Sequence, residues 1–349
     1  MHVLVRVDSS LDIGSGHVMR CLALAAGLKQ AGATVTFVCS QQTGSCIGLI
    51  RERGFIAHEL QDSGENSQFH TDPLPVIELL KKNRLKPNLL IVDHYYIDNT
   101  WESALRPYVE RIFVIDDLAD RQHNCDILLD QNFYTRADRY KHLLPKDCTQ
   151  LIGPGFPLLR DEFAQARKNC SVRTGKLSRI LVFFGGSDPD RLTELATDSL
   201  AAFTDSNFKV DVVVGAAYPA IPKLESRIAE VKNMTLHIQT NRIAELMAQA
   251  DFSIGAGGSA SWERMCMGLP TLVITTADNQ IEVTNALQSI DAISSLGDSS
   301  SLTREQLSAA ITRAATHPEL LCMQSQRGMD LVDGLGASRV LGALLDDLG

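Results

Sequence analysis

No apolar run in this chain approaches the roughly 18 residues that a membrane-spanning helix requires. The N-terminus also lacks the basic-then-apolar layout of a secretory signal and passes directly into a strand-like run, Val3-Leu4-Val5-Arg6-Val7. A cytoplasmic protein is expected. Basic charge is not in excess: 33 Lys and Arg face 42 Asp and Glu, for a formal net charge of −9, so the basic stripe by which proteins hold nucleic acid is missing. The eight cysteines include no C-x-x-C pair, which points away from zinc and from a disulfide framework and leaves most of them as small buried hydrophobes. No fixed-period repeat or low-complexity tract stands out. What remains is a soluble globular protein, and at 349 residues two lobes are expected rather than one core.

Strand-length apolar runs alternate with helix-period segments, the pattern of doubly wound parallel sheets. In the first half the runs are Thr34 to Val38, Leu89 to Asp93 and Arg111 to Asp116, with a helix near Gly48 to Arg53; a second series follows at Arg179 to Phe184, Val210 to Val214 and Met234 to Ile238. Glycine and proline punctuate Ile152-Gly153-Pro154-Gly155-Phe156-Pro157, which places the linker there. The expected lobes are 1–155 and 156–335, and residues 336–349 read as a helix able to pack back on the first lobe. Ligands of open α/β sheets bind outside the carboxyl ends of the strands. Asp8, Asp93-His94-Tyr95 and Asp116-Asp117 are therefore expected to point at one crevice.

The first strand runs into Ile13-Gly14-Ser15-Gly16-His17 and then an amphipathic segment, which puts a histidine on the first turn of a helix. Gly14 and Gly16 let the backbone turn tightly and approach a ligand, while the helix start offers unpaired N–H groups and a partial positive charge. That dipole disfavours an imidazolium by about 0.3–1 kcal/mol when exposed, so His17 is expected to be a base with a proton vacancy near neutral pH. The plain alternative is a tight turn whose histidine only packs or caps the helix.

In the second half, Asp251 to Glu263 reads as strand, glycine loop and helix start. Gly257 and Gly258 would clear the approach of a diphosphate, Ser259 and the N–H groups after it would donate to phosphate oxygens, and Glu263 could accept both hydroxyls of a ribose. A second loop, Gly185-Gly186-Ser187, is expected to face the same edge. Asn279 and Gln280 open the next helix, where their amides could bond sugar hydroxyls or acetamido groups; on their own they read better as helix caps. Asp188-Pro189-Asp190 has the spelling of a metal-binding D-x-D, but proline after a strand loop signals a first helical turn and Asp188 a natural N-cap. Neither metal nor cofactor is expected.

Taken together, Gly14 to His17, Gly257 to Glu263 and Ala277-Asp278-Asn279-Gln280 resemble the two-lobed GT-B nucleotide-sugar enzymes. With Arg6-Val7-Asp8, Val92-Asp93-His94-Tyr95 and Phe184-Gly185-Gly186-Ser187-Asp188-Pro189 added, the set resembles more narrowly the UDP-sugar hydrolases of pseudaminic acid biosynthesis, over nearly the whole chain. One departure is Asp130, which stands where an Asn-Gln-Asn run is expected. The resemblance implies a GT-B-like fold of two Rossmann-like lobes with an interlobe cleft. It also implies His17 as catalytic base or water-positioning group, Tyr95 and Asn279 near the sugar, UDP on the second lobe, and release of UDP from a UDP-linked 2,4-diacetamido-2,4,6-trideoxy sugar. Two readings compete. A glycosyltransferase would pass the sugar to an acceptor and, for a lipid-linked one, would carry an apolar and basic surface, whereas Gln41-Gln42-Thr43 and Gln61-Asp62-Ser63 are polar. A non-catalytic sensor would bind a UDP-sugar and turn over nothing.

Overall fold

The computed structural model describes residues 1–10, 13–60, 71–203 and 208–346. Leu11 and Asp12 of the first loop, and the Gln61-Asp62-Ser63 stretch, lie outside the described residues. The chain divides into two compact units, Met1–Leu158 with Leu335–Gly349, and Leu159–Gly334.

Unit 1 begins with β1 (His2–Val7), α1 (Gly16–Gln30), β2 (Thr34–Ser40), α2 (Ile47–Glu52) and β3 (Ile56–Leu60). It continues with α3 (Leu74–Lys82), β4 (Leu89–Asp93), α4 (Asn99–Leu105), β5 (Arg111–Ile115), β6 (Ile127–Asp130) and β7 (Thr149–Ile152). Among the described residues the strands form one sheet in the order β3-β2-β1-β4-β5-β6-β7, parallel throughout. The alternation of side chains along each strand splits the apolar runs between two layers. Val3, Val5, Leu89 and Ile91 join one cluster, which includes α1, while Leu4, Leu90 and Val92 join another on the opposite face. Every residue of β4 is buried, as a central strand covered on both faces must be.

Unit 2 holds α5 (Asp161–Arg167), β8 (Arg179–Phe183), α6 (Leu192–Ala201), β9 (Lys209–Val214), α7 (Ile221–Ala229), β10 (Met234–Ile238) and α8 (Ile243–Gln249). After these come β11 (Phe252–Ala256), α9 (Ser259–Cys266), β12 (Thr271–Thr275), α10 (Ile281–Ser289), β13 (Ser294–Asp298), α11 (Arg304–Thr316) and α12 (Pro318–Leu331). Its described strands are again parallel, in the order β10-β9-β8-β11-β12-β13. The expected fold class of two doubly wound α/β lobes is thus borne out. In each sheet the strand order reverses once, between β1 and β4 and between β8 and β11, and such reversals are where open α/β sheets receive ligands.

The chain then returns to unit 1 through α13 (Gly336–Asp346), whose Val340 and Leu344 join the layer that contains α1. The return is tight: a Cβ on Gly336 would stand 2.5 Å from the Pro157 carbonyl oxygen.

β6 ends at Asp130, which is fully buried. Its carboxylate accepts from Asn132 N at 3.0 Å, Arg139 Nη1 at 2.8 Å and the Tyr140 hydroxyl at 3.1 Å. Burial nevertheless pushes the carboxyl up to about 7, with the charge of Asp117 adding to the shift and the Asn132 N–H and Arg139 opposing it. The folded pKa lies above the unfolded value of ~3.9, so the folded state holds the proton more tightly. The stabilisation is complete below about pH 4 and is lost as pH rises towards 7. Asp130→Asn should remove about 2–3 kcal/mol of the change in unfolding free energy between pH 5 and pH 8, measured by urea denaturation at the two pH values. An unchanged difference would mean that Arg139 keeps Asp130 ionised in the folded unit.

Candidate active site

At the reversal in unit 1, α1 starts at Gly16 after a loop in which Gly14 adopts φ +77° and its N–H bonds the Ser10 carbonyl at 2.9 Å. That positive φ is the region glycine enters without a Cβ clash. Ser15 makes no side-chain cap, so the first-turn N–H groups of α1 are not closed off from the front. His17 is the second residue of the helix and is buried. Its Nδ1 lies 2.5 Å from Asp93 Oδ1, at the end of β4. One turn on, Arg20 grips the same carboxylate, Nε to Oδ2 and Nη2 to Oδ1 both at 2.7 Å, and reaches Asp117 Oδ2 at 3.2 Å.

Burial alone would raise the Asp93 pKa, but Arg20 and then His17 outweigh it and hold the carboxyl well below the usual range. An ionised Asp93 can only accept, so the Nδ1 proton of His17 points at it, and in the neutral ring the lone pair is on Nε2. Tyr95 stands edge-on to the imidazole with ring centroids 4.5 Å apart. The structure thus brings together Gly14, Gly16, His17 and Tyr95, and adds Asp93 and Arg20 as the groups that set the ring. Sequence reading placed Asp93 at the strand edge but gave it no partner, because the pairing joins residues 76 and 73 positions apart.

The other carboxylates at this edge do not open on a crevice. Asp8 is buried and bonded to both Arg6 amino groups, to Ser40 N at 2.7 Å and to His94 Nε2 at 3.1 Å. Burial works against its ionisation, yet Arg6 and His94 prevail and keep its pKa far below normal. His94 receives the Tyr96 N–H on Nδ1 at 3.2 Å and donates from Nε2 to Asp8, which leaves the ring no free nitrogen. Asp116 is buried with the Tyr140 hydroxyl at 3.0 Å and Ala119 N at 2.9 Å on one oxygen. Buried carboxylates must be paired, and Asp8 and Asp116 are scaffolding.

In unit 2, β11 runs into Gly257, Gly258 and α9. Gly258 adopts φ +77° and, having no side chain, leaves the α9 start uncapped at Ser259. Gly257 packs closely on the Gln280 side chain: a Cβ there would lie 2.8 Å from Gln280 Oε1. Gln280 was expected either to face the sugar or to cap the following helix. It sits in a 3₁₀ turn over 278–280 and turns back to take the Thr276 N–H at 3.0 Å, with no cap bond to α10, so its amide lies against the glycine loop. Asn279, beside it, is exposed. Glu263 faces Arg160 Nη2 at 3.3 Å; burial raises its carboxyl pKa and Arg160 opposes the shift.

The loop after β8 is tied down by Gly215 N–H to the Gly186 carbonyl at 3.1 Å, with Gly186 and Ser187 half-buried. Asp188 corrects an expectation. It does not sit directly before the helix with Pro189 in the first turn; α6 starts at Leu192, and Asp188 and Arg191 both carry positive φ. From this loop Asp188 takes the N–H groups of Leu192 at 3.0 Å and Thr193 at 2.8 Å and the Thr193 hydroxyl at 2.5 Å. The α6 start is therefore occupied by the protein's own anion, whereas no side chain caps the α9 start.

The UDP-2,4-diacetamido-2,4,6-trideoxy-β-L-altropyranose hydrolase of Campylobacter jejuni is 30% identical to this chain over 281 residues, 80% of this chain and 93% of that protein. The chain belongs to this hydrolase's family. It is also 27% identical, over 100% of its own length and 98% of the relative, to the spore coat polysaccharide biosynthesis protein SpsG of Bacillus subtilis. An uncharacterized protein of Methanocaldococcus jannaschii matches at 24% over 81% of this chain, which spans only 57% of that protein's length. Residues 180–332 match the glycosyltransferase family 28 C-terminal domain. In fold, the MurG crystal structure from Acinetobacter baumannii superposes with a TM-score of 0.66 at 15% identity, covering 99% of each chain. The family member is thus an enzyme of the GT-B-like nucleotide-sugar type.

The geometry at His17 makes a prediction that does not depend on the reaction. Nitrogen-15 NMR of the folded protein should find the neutral His17 ring as the Nδ1–H tautomer. Asp93→Asn should cost about 3–5 kcal/mol of unfolding free energy, because it leaves Arg20 buried without its main counter-charge. A ring protonated only on Nε2 would contradict the assignment of Asp93 as its acceptor.

Proposed function

We propose that this protein hydrolyses a UDP-linked diacetamido-trideoxy sugar at its anomeric C–O bond, releasing UDP and the free sugar. The substrate class is that named for the C. jejuni relative, UDP-2,4-diacetamido-2,4,6-trideoxy-β-L-altropyranose. The observation that carries the reading is the buried pair of His17 and Asp93 at 2.5 Å, with Arg20 forked on the same carboxylate. It fixes one nitrogen of the ring and leaves the other as a base for a water molecule, the arrangement that general base catalysis needs. Unit 1 (1–155 with 336–349 on the sequence reading) supplies this base, with Gly14 and Gly16 shaping the loop and Tyr95 beside the ring.

Unit 2 takes UDP in this reading. The α9 start, with Gly257, Gly258 and Ser259, receives the diphosphate, as uncapped helix starts receive anions; Gly186 and Ser187 line the same edge, Glu263 accepts from the ribose, and Asn279 and Gln280 face the sugar. The leaving group is already good, so the enzyme need only deliver water and stabilise charge on UDP. A single displacement from the face opposite UDP inverts the anomeric centre, and no metal is required where helix N–H groups meet the diphosphate. The match to a glycosyltransferase family domain over 180–332 favours one competing reading, in which an acceptor hydroxyl takes the place of water.

Release of UDP from candidate UDP-sugars decides between the two. The purified protein should release UDP with no acceptor present and should do so equally after exhaustive EDTA treatment. His17→Ala should lower that rate by about 10²–10⁴ while UDP affinity by calorimetry stays within a few-fold. Turnover only on addition of an acceptor would make the protein a transferase, and undiminished turnover by the variant would remove His17 from the reaction.

A further inference from the structure

Arg264, the residue after Glu263 on α9, is 1% exposed. Its Nη2 donates to the Ala256 carbonyl at 2.5 Å and to Ser261 Oγ at 3.1 Å. Nε and Nη1 have no hydrogen-bond partner among the described residues, and no carboxylate there forms an ion pair with the guanidinium. The head group sits directly under the strand-order reversal of unit 2. A Cβ on Gly255 would lie 2.2 Å from the Phe183 carbonyl oxygen of β8 and 2.8 Å from Arg264 Nη1, so the β8 backbone requires glycine at this point and the cation packs directly against it. Burial pushes the guanidinium pKa down to about 10, with the Glu263 charge opposing; it stays charged at neutral pH. Buried charges are ordinarily paired. Among the described residues no carboxylate pairs with this one.

Two consequences follow from peptide geometry. In a trans peptide the C=O and N–H point in opposite directions, so a guanidinium that holds the Ala256 carbonyl turns the Gly257 N–H away from itself, to the β12 side of the strand, where the register runs on to Ala256 opposite Ile274. The same guanidinium places a full positive charge immediately behind the uncapped start of α9. We propose that Arg264 is a diphosphate-specific positioning residue: it anchors the Ala256 carbonyl at the root of the glycine loop and ties it to Ser261 of α9, and its buried charge is balanced by the ligand's diphosphate. This rests on the reading of unit 2 as the UDP-binding unit. Arg264 does not touch the ligand; it acts through the loop backbone and through its field.

The test is calorimetric titration of the full chain with uridine, UMP and UDP, for wild type, Arg264→Met, Arg264→Lys and Glu263→Ala. Wild type that fails to bind UDP would overturn the UDP-binding reading itself. Given wild-type binding, Arg264→Met should lose about tenfold or more in UDP affinity, the equivalent of one missing charged interaction, with a smaller loss for UMP and almost none for uridine. Arg264→Lys should recover part of the UDP affinity, and Glu263→Ala should weaken all three ligands alike. Arg264→Met should also be no less resistant to urea than wild type without ligand, since an unbalanced buried charge has been removed. Equal losses on all three ligands for Arg264→Met, or unchanged UDP affinity, would overturn the proposal. If the Met variant does not fold, the nitrogen-15 resonance of Arg264 Nε in wild type decides the matter: it should shift on addition of UDP and not of uridine, and an equal response to both would overturn the proposal.

Discussion

Arg20 donates to both oxygens of Asp93 at 2.7 Å, in a part of unit 1 where neither side chain is more than 6% exposed. With the guanidinium in place the carboxylate stays ionised against its burial, and an ionised carboxylate, which can only accept, receives the hydrogen bond of the His17 Nδ1–H. The fork also joins α1 to the end of β4 at the strand-order reversal. The orientation of the His17 ring and the docking of its helix therefore rest on the same ion pair. Such a pair adds little net stability over an apolar replacement, yet its disruption is costly, which suits a device whose purpose is orientation.

The reversal in unit 2 is built on a buried arginine with the opposite bookkeeping of charge. Asp93 and Asp117 neutralise Arg20, whereas no described carboxylate pairs with Arg264. The two helix starts of that unit differ in the same sense. The start of α6 is filled by Asp188, while α9 begins at a glycine and stays open. In the proposed reading the guanidinium and the open helix start together draw an anion to the β8–β11 reversal, where a low effective dielectric strengthens the attraction.

The fold class was legible because both sheets are parallel and covered, so that central strands appear as uninterrupted apolar runs such as Leu89 to Val92 and Ile180 to Val182. The positions of the loops could be read for the same reason, since polar and glycine residues end each run. The partners within the site could not. His17, Arg20 and Asp93 meet only through the docking of α1 against β4, and no local pattern encodes it. The cap formed by Asp188 was misplaced because two left-handed residues let the loop double back before α6. Gln280 looked like a cap for α10 and instead buttresses Gly257, a choice made by tertiary packing. Asp130, foreign to the pattern that the rest of the chain resembles, is accommodated by Arg139 and Tyr140, neither of which its own short motif announces.

The central claim is that water activated at His17 attacks the anomeric carbon and leaves the diphosphate intact. Turnover of the UDP-sugar in oxygen-18 water tests it most directly. The account predicts that the label enters the free sugar and not UDP, and that NMR first detects the anomer opposite to that of the substrate, before mutarotation. Label in UDP would place the attack on phosphorus and contradict the role given to His17.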